Sequence, residues 1–348
     1  MNHTSPTSGG ESPTPLSPRP LHDRPGRGPR VLTGRQLREH GIGAAEAAER
    51  CRPGGPWQQV LPGVHLLHPG PPTSEERLHA VLLYAASRPS AVPAQTGPAP
   101  AQDPMITGLA ALALHRFATA PPLLTLDRID VLVPRTRRLR STGFAQVVRA
   151  QVMPQPQQIT GVPVAPVPRA LADAVSGLSD ACTVGRLLTE AVRGGHCEAA
   201  AVVREFNEAR LLNLPHVVDA VHALLAEGRA LAEGRLYDLV RRYGLPDPLW
   251  NVDLRLPGGP HLGGVDAYWP EQAVAVEIDA RVPRQEDEAL RAQYAHKREH
   301  LERLGITVVR LSPRKLRDTP EQQAAVVRTA LMAADDHEPG SYVVVLPR

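Results

Sequence analysis

Sulfur, aromatic rings and long apolar runs are all scarce in these 348 residues. Cys51, Cys182 and Cys197 are the only cysteines, and they form neither a CxxC pair nor a His/Cys cluster. That excludes a zinc knuckle and a disulfide framework and suits a reducing, cytoplasmic setting. Aromatic residues make up 3%, so the cores must be built from leucine, valine and alanine. No 18-residue apolar stretch exists, which argues against a membrane span. The first residues hold no apolar segment and do not read as a signal peptide. Neither sign of charge dominates. Thirty-nine basic residues, mostly arginine, stand against 36 acidic ones, and the net charge of +3 permits an anionic partner without demanding one.

What is present fits a multidomain chain. Apolar residues reach 42%, an ordinary globular share, and 37 prolines favour short elements joined by long loops. Residues 1–29 are rich in Pro, Gly, Ser and Arg, cannot repay the entropy of ordering, and read as a disordered basic tail that is either a loose nucleic-acid arm or a solvated leader. Residues 30–70 read as a winged-helix-like module. Thr33 and Gln36 form a capping-box pattern, a second short helix covers Ala44–Arg50, and a hairpin turns at Pro62–Gly63. Such a module can set a helix in the major groove. Its second helix mixes Glu46 and Glu49 with Arg50 and nearby Arg52, so DNA contact and plain packing both stay open. Residues 71–167 give two helices and then strands. Arg135, Arg137, Arg138 and Arg140 lie between two of those strands and are the densest positive charge in the chain. They read as a phosphate-contacting patch or as a solvated hairpin turn. Residues 168–228 are helical, and His216 and His222, six apart, make no helical metal pair.

The chemistry concentrates in residues 229–348. A helix containing Glu233 at the border of its apolar stripe leads into strands. Asp266 lies on one strand, and after the turn at Pro270–Glu271 "QAVAVEID" reads as a central strand. Alternation puts Val274, Val276 and Ile278 on one face and Ala275, Glu277 and Asp279 on the other, with the two carboxylates roughly 7 Å apart. Like charges buried together are costly unless a cation or a proton shares them. Hard oxygen donors of this kind suit Mg2+ or Mn2+. On the helix expected over 286–303, Leu290, Tyr294, Lys297, Leu301 and Leu304 recur at steps of three and four. Lys297 then either snorkels outward or aims its ammonium at the carboxylates. Phosphodiester hydrolysis uses such a set. Asp266 and Glu277 would be the core metal ligands, Glu233 would approach through water, Asp279 would add a ligand or base, and Lys297 would complete the catalytic group. The competing reading is a buried ion-pair network of Glu277 and Asp279 with Lys297 and Arg298.

These motifs carry a resemblance. Asp266-Ala-Tyr-Trp-Pro270, Glu277-Ile-Asp279, the helix through Lys297, and Leu304-Gly305 leading to Val308 and Arg310 resemble the endonuclease-like group related to very-short-patch repair endonucleases, in the PD-(D/E)xK superfamily. Glu233 matches the glutamate of that group's opening helix. The superfamily's strand lysine is Asp279 here. Further upstream, "VLTGRQLREHGI", "WQQVLPGVHLL", "ITGLAALAL", "IDVLVPRTRR" and "GVPVAPVPRALADAV" resemble an AbiEi-type antitoxin-like region. The resemblance implies an α/β chain: a winged-helix and α/β antitoxin-like front, a helical linker, and a restriction-endonuclease-like mixed sheet flanked by helices. It implies a metal-dependent DNA endonuclease or, alternatively, a non-catalytic type IV antitoxin or transcriptional regulator on a degenerate nuclease fold. The partners it implies are DNA and a cognate nucleotidyltransferase toxin.

Overall fold

The computed structural model describes residues 30–86, 103–279, 288–335 and 343–347. The basic tail expected over 1–29 and most of the proline-rich stretch after residue 86 lie outside the described residues. The chain is mixed α/β and divides into two compact units, Met1–Met105 with Asp127–Met153, and Ile106–Leu126 with Pro154–Arg348.

In the first unit, β1 (Val31–Thr33), α1 (Gly34–Glu39), α2 (Ala44–Arg50), β2 (Gln58–Leu61) and β3 (Val64–Leu66) form a small module. Its strands make an antiparallel sheet in the order β1-β3-β2. Strand β1 is the piece that sequence pattern misses, because three residues are too few to show alternation. The capping box is present: the Gln36 amide donates to Thr33 Oγ1 at 3.2 Å, and the Thr33 amide donates to Gln36 Oε1 at 2.9 Å. Leu32, Leu37, Ile42, Ala47 and Trp57 make the core. Gly63 closes the β2–β3 turn at φ +76°, a conformation that costs glycine nothing. The basic residues around α2 are already engaged. Arg50 pairs with Glu46 and lies 4.6 Å over the Trp57 ring, and Arg52 pairs with Glu49.

Helix α3 (Ser74–Ala86) opens with a second capping box between Thr73 and Glu76. The chain then passes through β4 (Met105–Thr107) into the second unit and returns for β5 (Ile129–Pro134) and β6 (Ala145–Ala150). The hairpin alternative for the arginine segment does not hold, because β5 and β6 are parallel, with Ile129 opposite Ala145 and Pro134 opposite Ala150. Residues 135–144 therefore carry the chain back along the length of a strand, a job that normally takes a dozen residues or more. Buried Leu139 anchors that return. Its carbonyl accepts from the Arg149 guanidinium, Tyr84 donates to the Arg140 carbonyl at 2.7 Å, and Arg137 donates to the Ala85 carbonyl.

In the second unit, α4 (Gly108–Leu114) follows β4, and Ile106 of β4 pairs in parallel with Val164 of β8 (Val162–Val164). β8 forms a hairpin with β7 (Gln157–Ile159). Helices α5 (Val167–Val175), α6 (Ala181–Arg193), α7 (Ala199–Glu208) and α8 (Pro215–Arg242) come next. α8 runs unbroken for 28 residues across position 228, where composition suggests a break between a linker and the last domain. Gly228 is part of that helix. It sits inside the helix because a Cβ there would come within 3.1 Å of the Ala199 Cβ, so its smallness lets α7 approach α8.

Strands β9 (Leu249–Arg255), β10 (His261–Trp269) and β11 (Val274–Ile278) follow, then α9 (Glu288–Arg303), β12 (Thr307–Leu311), α10 (Pro313–Asp318), α11 (Pro320–Asp335) and β13 (Val344–Pro347). The sheet order is β12-β11-β10-β9-β13, with β11 and β12 parallel and every other pair antiparallel. The central strand is thus β10, and β11 lies between it and an edge strand. Val274, Val276 and Ile278 pack with Leu236 and Leu239 of α8 and with Val327 and Leu331 of α11. Ala275 packs on the opposite face with Leu301 of α9. The sheet therefore carries α8 and α11 on one side and α9 on the other. Among the described residues no helix is long and apolar enough to cross a membrane.

Candidate active site

The site lies where β10 and β11 stop pairing. Their antiparallel register runs Trp269–Val274, Tyr268–Ala275, Ala267–Val276. Asp266 and Glu277 are the next residue on each strand beyond the last pair. Both are only 6% exposed, a rare state for carboxylates that lack partners. Each has partners. Asp266 Oδ1 accepts from the Arg229 guanidinium of α8 at 2.7 Å, and Asp266 Oδ2 accepts from the Ile278 amide at 2.6 Å. Asp266 thus caps the open end of the strand pair. Arg229 also donates to Glu233, one helical turn along α8, at 2.8 Å.

Glu277 is served from two other elements. Lys297 of α9 bonds its Oε1, and Arg310 of β12 lies 3.6 Å from its Oε2. Arg310 is placed by sheet register, because it stands directly beside Glu277 in the parallel β11–β12 ladder. Lys297 also donates to the Gly264 carbonyl at 2.8 Å. Its path to both acceptors passes over Gly263, at φ +120°, where a Cβ would lie 2.4 Å from the lysine Cε. Glycine suits that position by its backbone conformation, and an added Cβ would push the end of the Lys297 side chain from its place.

Burial pushes the Asp266 carboxyl above its ordinary value. The Ile278 amide and Arg229 pull it down, while the negative charges of Glu233 and Glu277 push it up. Those last two effects put Glu233 and Glu277 each within electrostatic reach of Asp266.

Of the expected residues, Glu233 and Asp266 share Arg229, and Glu277 and Lys297 form a second ion-paired group. Asp279 lies one residue past β11, is exposed, donates its amide to the Leu311 carbonyl of β12 at 2.8 Å, and borders a cleft between α7, α8 and α10. The ion-pair alternative is corrected in one partner: Arg298 pairs with Glu302 at 2.7 Å on the exposed side of α9, and Arg310 takes its place. Leu301 is buried as the helical stripe requires, and the side chains of Leu290 and Tyr294 lie outside the described residues. Arg229 escapes the sequence reading, although its spacing four residues before Glu233 is the signal that reveals it.

The donor chemistry here, hard carboxylate oxygens on three elements, suits Mg2+ or Mn2+. The geometry is another matter. Both oxygens of Asp266 and both of Glu277 already face a donor or a cation, and the protein's own Arg229, Lys297 and Arg310 stand where a metal would balance the charge. Among the described residues no three His, Cys, Asp or Glu side chains are grouped to hold a metal ion. Asp266 moreover draws its cation from the helix on one face of the sheet and Glu277 draws Lys297 from the other. As arranged, the carboxylates fit a salt-bridged network rather than a loaded metal centre.

The arginine segment in the first unit stands apart in character. Arg135, Arg138 and Arg140 are exposed, whereas Arg137 is half-buried and tied to the Ala85 carbonyl. Three of the four are thus placed to meet an anion, and the fourth holds the segment in position. Comparison of the chain with known protein families and with curated protein sequences gives no match.

Proposed function

We propose that this protein acts on DNA phosphodiesters, with the Asp266–Glu277 centre hydrolysing the backbone and the exposed arginines of the first unit, Arg135, Arg138 and Arg140, helping to hold the duplex. The observation that carries the reading is a pair of buried carboxylates on adjacent strands, Asp266 and Glu277, the second of them held by a lysine from a covering helix. Burying such charges is costly, and a fold gains little stability from them. The helix–three strands–helix–strand order of α8 through β12, a mixed sheet with helices on both faces, supports the reading.

In this reading Asp266 and Glu277 would hold Mg2+ or Mn2+, with Glu233 reaching it through water, and the ion would supply a polarised phosphate and an activated water. Lys297, fixed by Gly264 and Glu277, is the group positioned to balance charge building on the phosphate. Arg229 must first release Asp266. The test is nicking of supercoiled plasmid in Mg2+ or Mn2+ by the wild type and by Glu277→Gln. Metal-dependent nicking in the first and its loss in a folded second is expected. No cleavage of any DNA form by a folded wild type would sink the enzymatic reading.

One observation favours a second reading. Because three protein cations already satisfy the carboxylates, the domain can be a non-catalytic scaffold for an antitoxin-like DNA-binding regulator, paired with a nucleotidyltransferase toxin. Salt-sensitive operator binding without nicking is the result that selects it.

A further inference from the structure

Beside the carboxylates the second unit has a cleft of about 470 Å3, a volume in the range of small-molecule sites. It is bounded by α7, α8 and α10, and four arginines line it, Arg204, Arg229, Arg314 and Arg317. The alanines of the first turn of α7 line it too, and Arg204, three and four residues after Ala201 and Ala200, shares their face of the helix. The lone thiol there is no nucleophile, since burial and the Glu198 charge push Cys197 up to about 12 against a pull from Arg317. The cleft is therefore equipped to bind rather than to attack.

The four guanidiniums are not equally committed. Arg229 is held by Asp266 and Glu233. Arg317 is held by Glu198 at 2.7 Å and by Asp318 at 2.8 Å. Arg314 has only a share of Asp318, at 3.3 Å, and its side chain is 77% exposed. Arg204 is exposed and forms no ion pair with a described residue. Two arginines, one on α7 and one on α10, are thus available to an anion that enters between them. A phosphate monoester at pH 7 carries close to two negative charges and three acceptor oxygens. Each planar guanidinium can bond two of those oxygens at once.

The lining is not purely cationic. Asp279 is exposed to the cleft, and the Glu198 side chain stays 24% exposed. A bare anion gains nothing from these two carboxylates. A ligand that brings hydroxyl groups beside its phosphate can donate to them, because an ionised carboxylate only accepts.

We infer that the cleft binds a sugar phosphate, a phosphate monoester on a hydroxyl-bearing ring, supplied either by a free sugar phosphate or nucleotide or by the phosphorylated end of an RNA strand. Arg204 and Arg314 grip the phosphate from α7 and α10. Arg229 and Arg317, fixed by their own carboxylates, add positive field. Glu198 and Asp279 accept from the sugar hydroxyls. The inference goes beyond the proposed hydrolysis and does not rest on it.

The experiment is isothermal titration calorimetry on the full chain with ribose 5-phosphate, methyl phosphate and ribose. Ribose 5-phosphate should bind saturably, methyl phosphate about tenfold more weakly, and ribose not at all. Arg204→Gln and Arg314→Gln should each weaken ribose 5-phosphate about tenfold. Arg186→Gln, at an exposed position of α6, should leave it unchanged. Thermal unfolding checks that each variant folds. A short RNA single strand is then titrated with and without a 5′-phosphate. A gain from the phosphate that Arg204→Gln removes makes the strand end the source, and no gain leaves the free sugar phosphate. Both results keep the site.

No saturable binding of ribose 5-phosphate by the folded wild type overturns the site. Equal affinity for methyl phosphate overturns the sugar contact. Unaltered affinity in both cleft variants, or an equal loss in Arg186→Gln, overturns the placement. The plasmid assay judges hydrolysis separately, so a protein that binds the sugar phosphate yet cuts no DNA keeps this inference and loses that reading.

Discussion

Charge is handled in opposite ways at the two sites. In the first unit Arg135, Arg138 and Arg140 stay exposed, and the segment keeps its course through backbone hydrogen bonds and buried Leu139. In the second unit Asp266 and Glu277 are buried, and each is held by cations from other elements. Exposed charges are cheap to keep and cheap to lose. Buried ones are coupled to the fold, so any change at one leaves a partner stranded. The contrast separates a surface that can only attract from a centre that can also respond.

The largest effect that would test this contrast is at Glu277. Glu277→Ala leaves Lys297 and Arg310 without their shared carboxylate and should cost about 3 kcal/mol or more, read by urea denaturation. Arg138→Gln in the first unit should stay within about 0.5 kcal/mol. Equal costs would erase the distinction. Next comes Gly263→Ala, which combines a positive φ with a collision against Lys297. A loss of about 2 kcal/mol is expected, and an unchanged unfolding midpoint would show that the lysine does not need that path.

A solution measurement sharpens the other half. Replacing Arg135, Arg138 and Arg140 together by Gln should leave stability nearly unchanged. It should reduce the slope of log binding constant against log salt by about 2 to 3 on duplex DNA. An unaltered slope would remove these arginines from the interface.

Much of this was readable from residue pattern, and the limits were physical. Helical spacing placed Lys297 on the inner stripe of α9 and left open whether it turned outward. The space above Gly263 and the acceptor at Gly264 settle that, and both depend on tertiary approach. Strand alternation put Glu277 on the face opposite Val276, and β11 ends one residue before Asp279, whose amide still bonds the Leu311 carbonyl of β12. Arg310 finds Glu277 only through the parallel register of two strands separated by α9. Parallel pairing also defeated the hairpin alternative for the arginine segment, since two strands and a polar connection look alike in sequence whichever way the second one runs. Short β1 was missed for a local reason, too few residues to show a period.

The smallest predicted effect sets one acid against another. Burial pushes Asp266 up, and the opposing bonds do not cancel it. Its contribution is therefore fully present below the ordinary value of 3.8 and is lost as pH rises through the raised one. For Glu76, burial also pushes upward, but hydrogen bonds from Thr73 and His68 outweigh it and the carboxyl is lowered. That contribution is present above 4.5 and is lost as pH falls through the lowered value. Against wild type, Asp266→Asn should flatten the first trend and Glu76→Gln the second, in denaturation series between about pH 3 and 7. Trends of the same sign in both variants would mean that Asp266 is stabilised by its surroundings as Glu76 is.

Lys297 is one of two lysines in the entire chain, the other being Lys315. Amine-directed labelling thus has almost nothing else to modify. Reductive methylation with carbon-13 would install a spectroscopic reporter at the heart of the carboxylate network, with Lys315 and the terminal amine as its built-in references. Whatever enters or leaves that network, a metal, a phosphate or a proton, would register as a shift in a single assignable resonance.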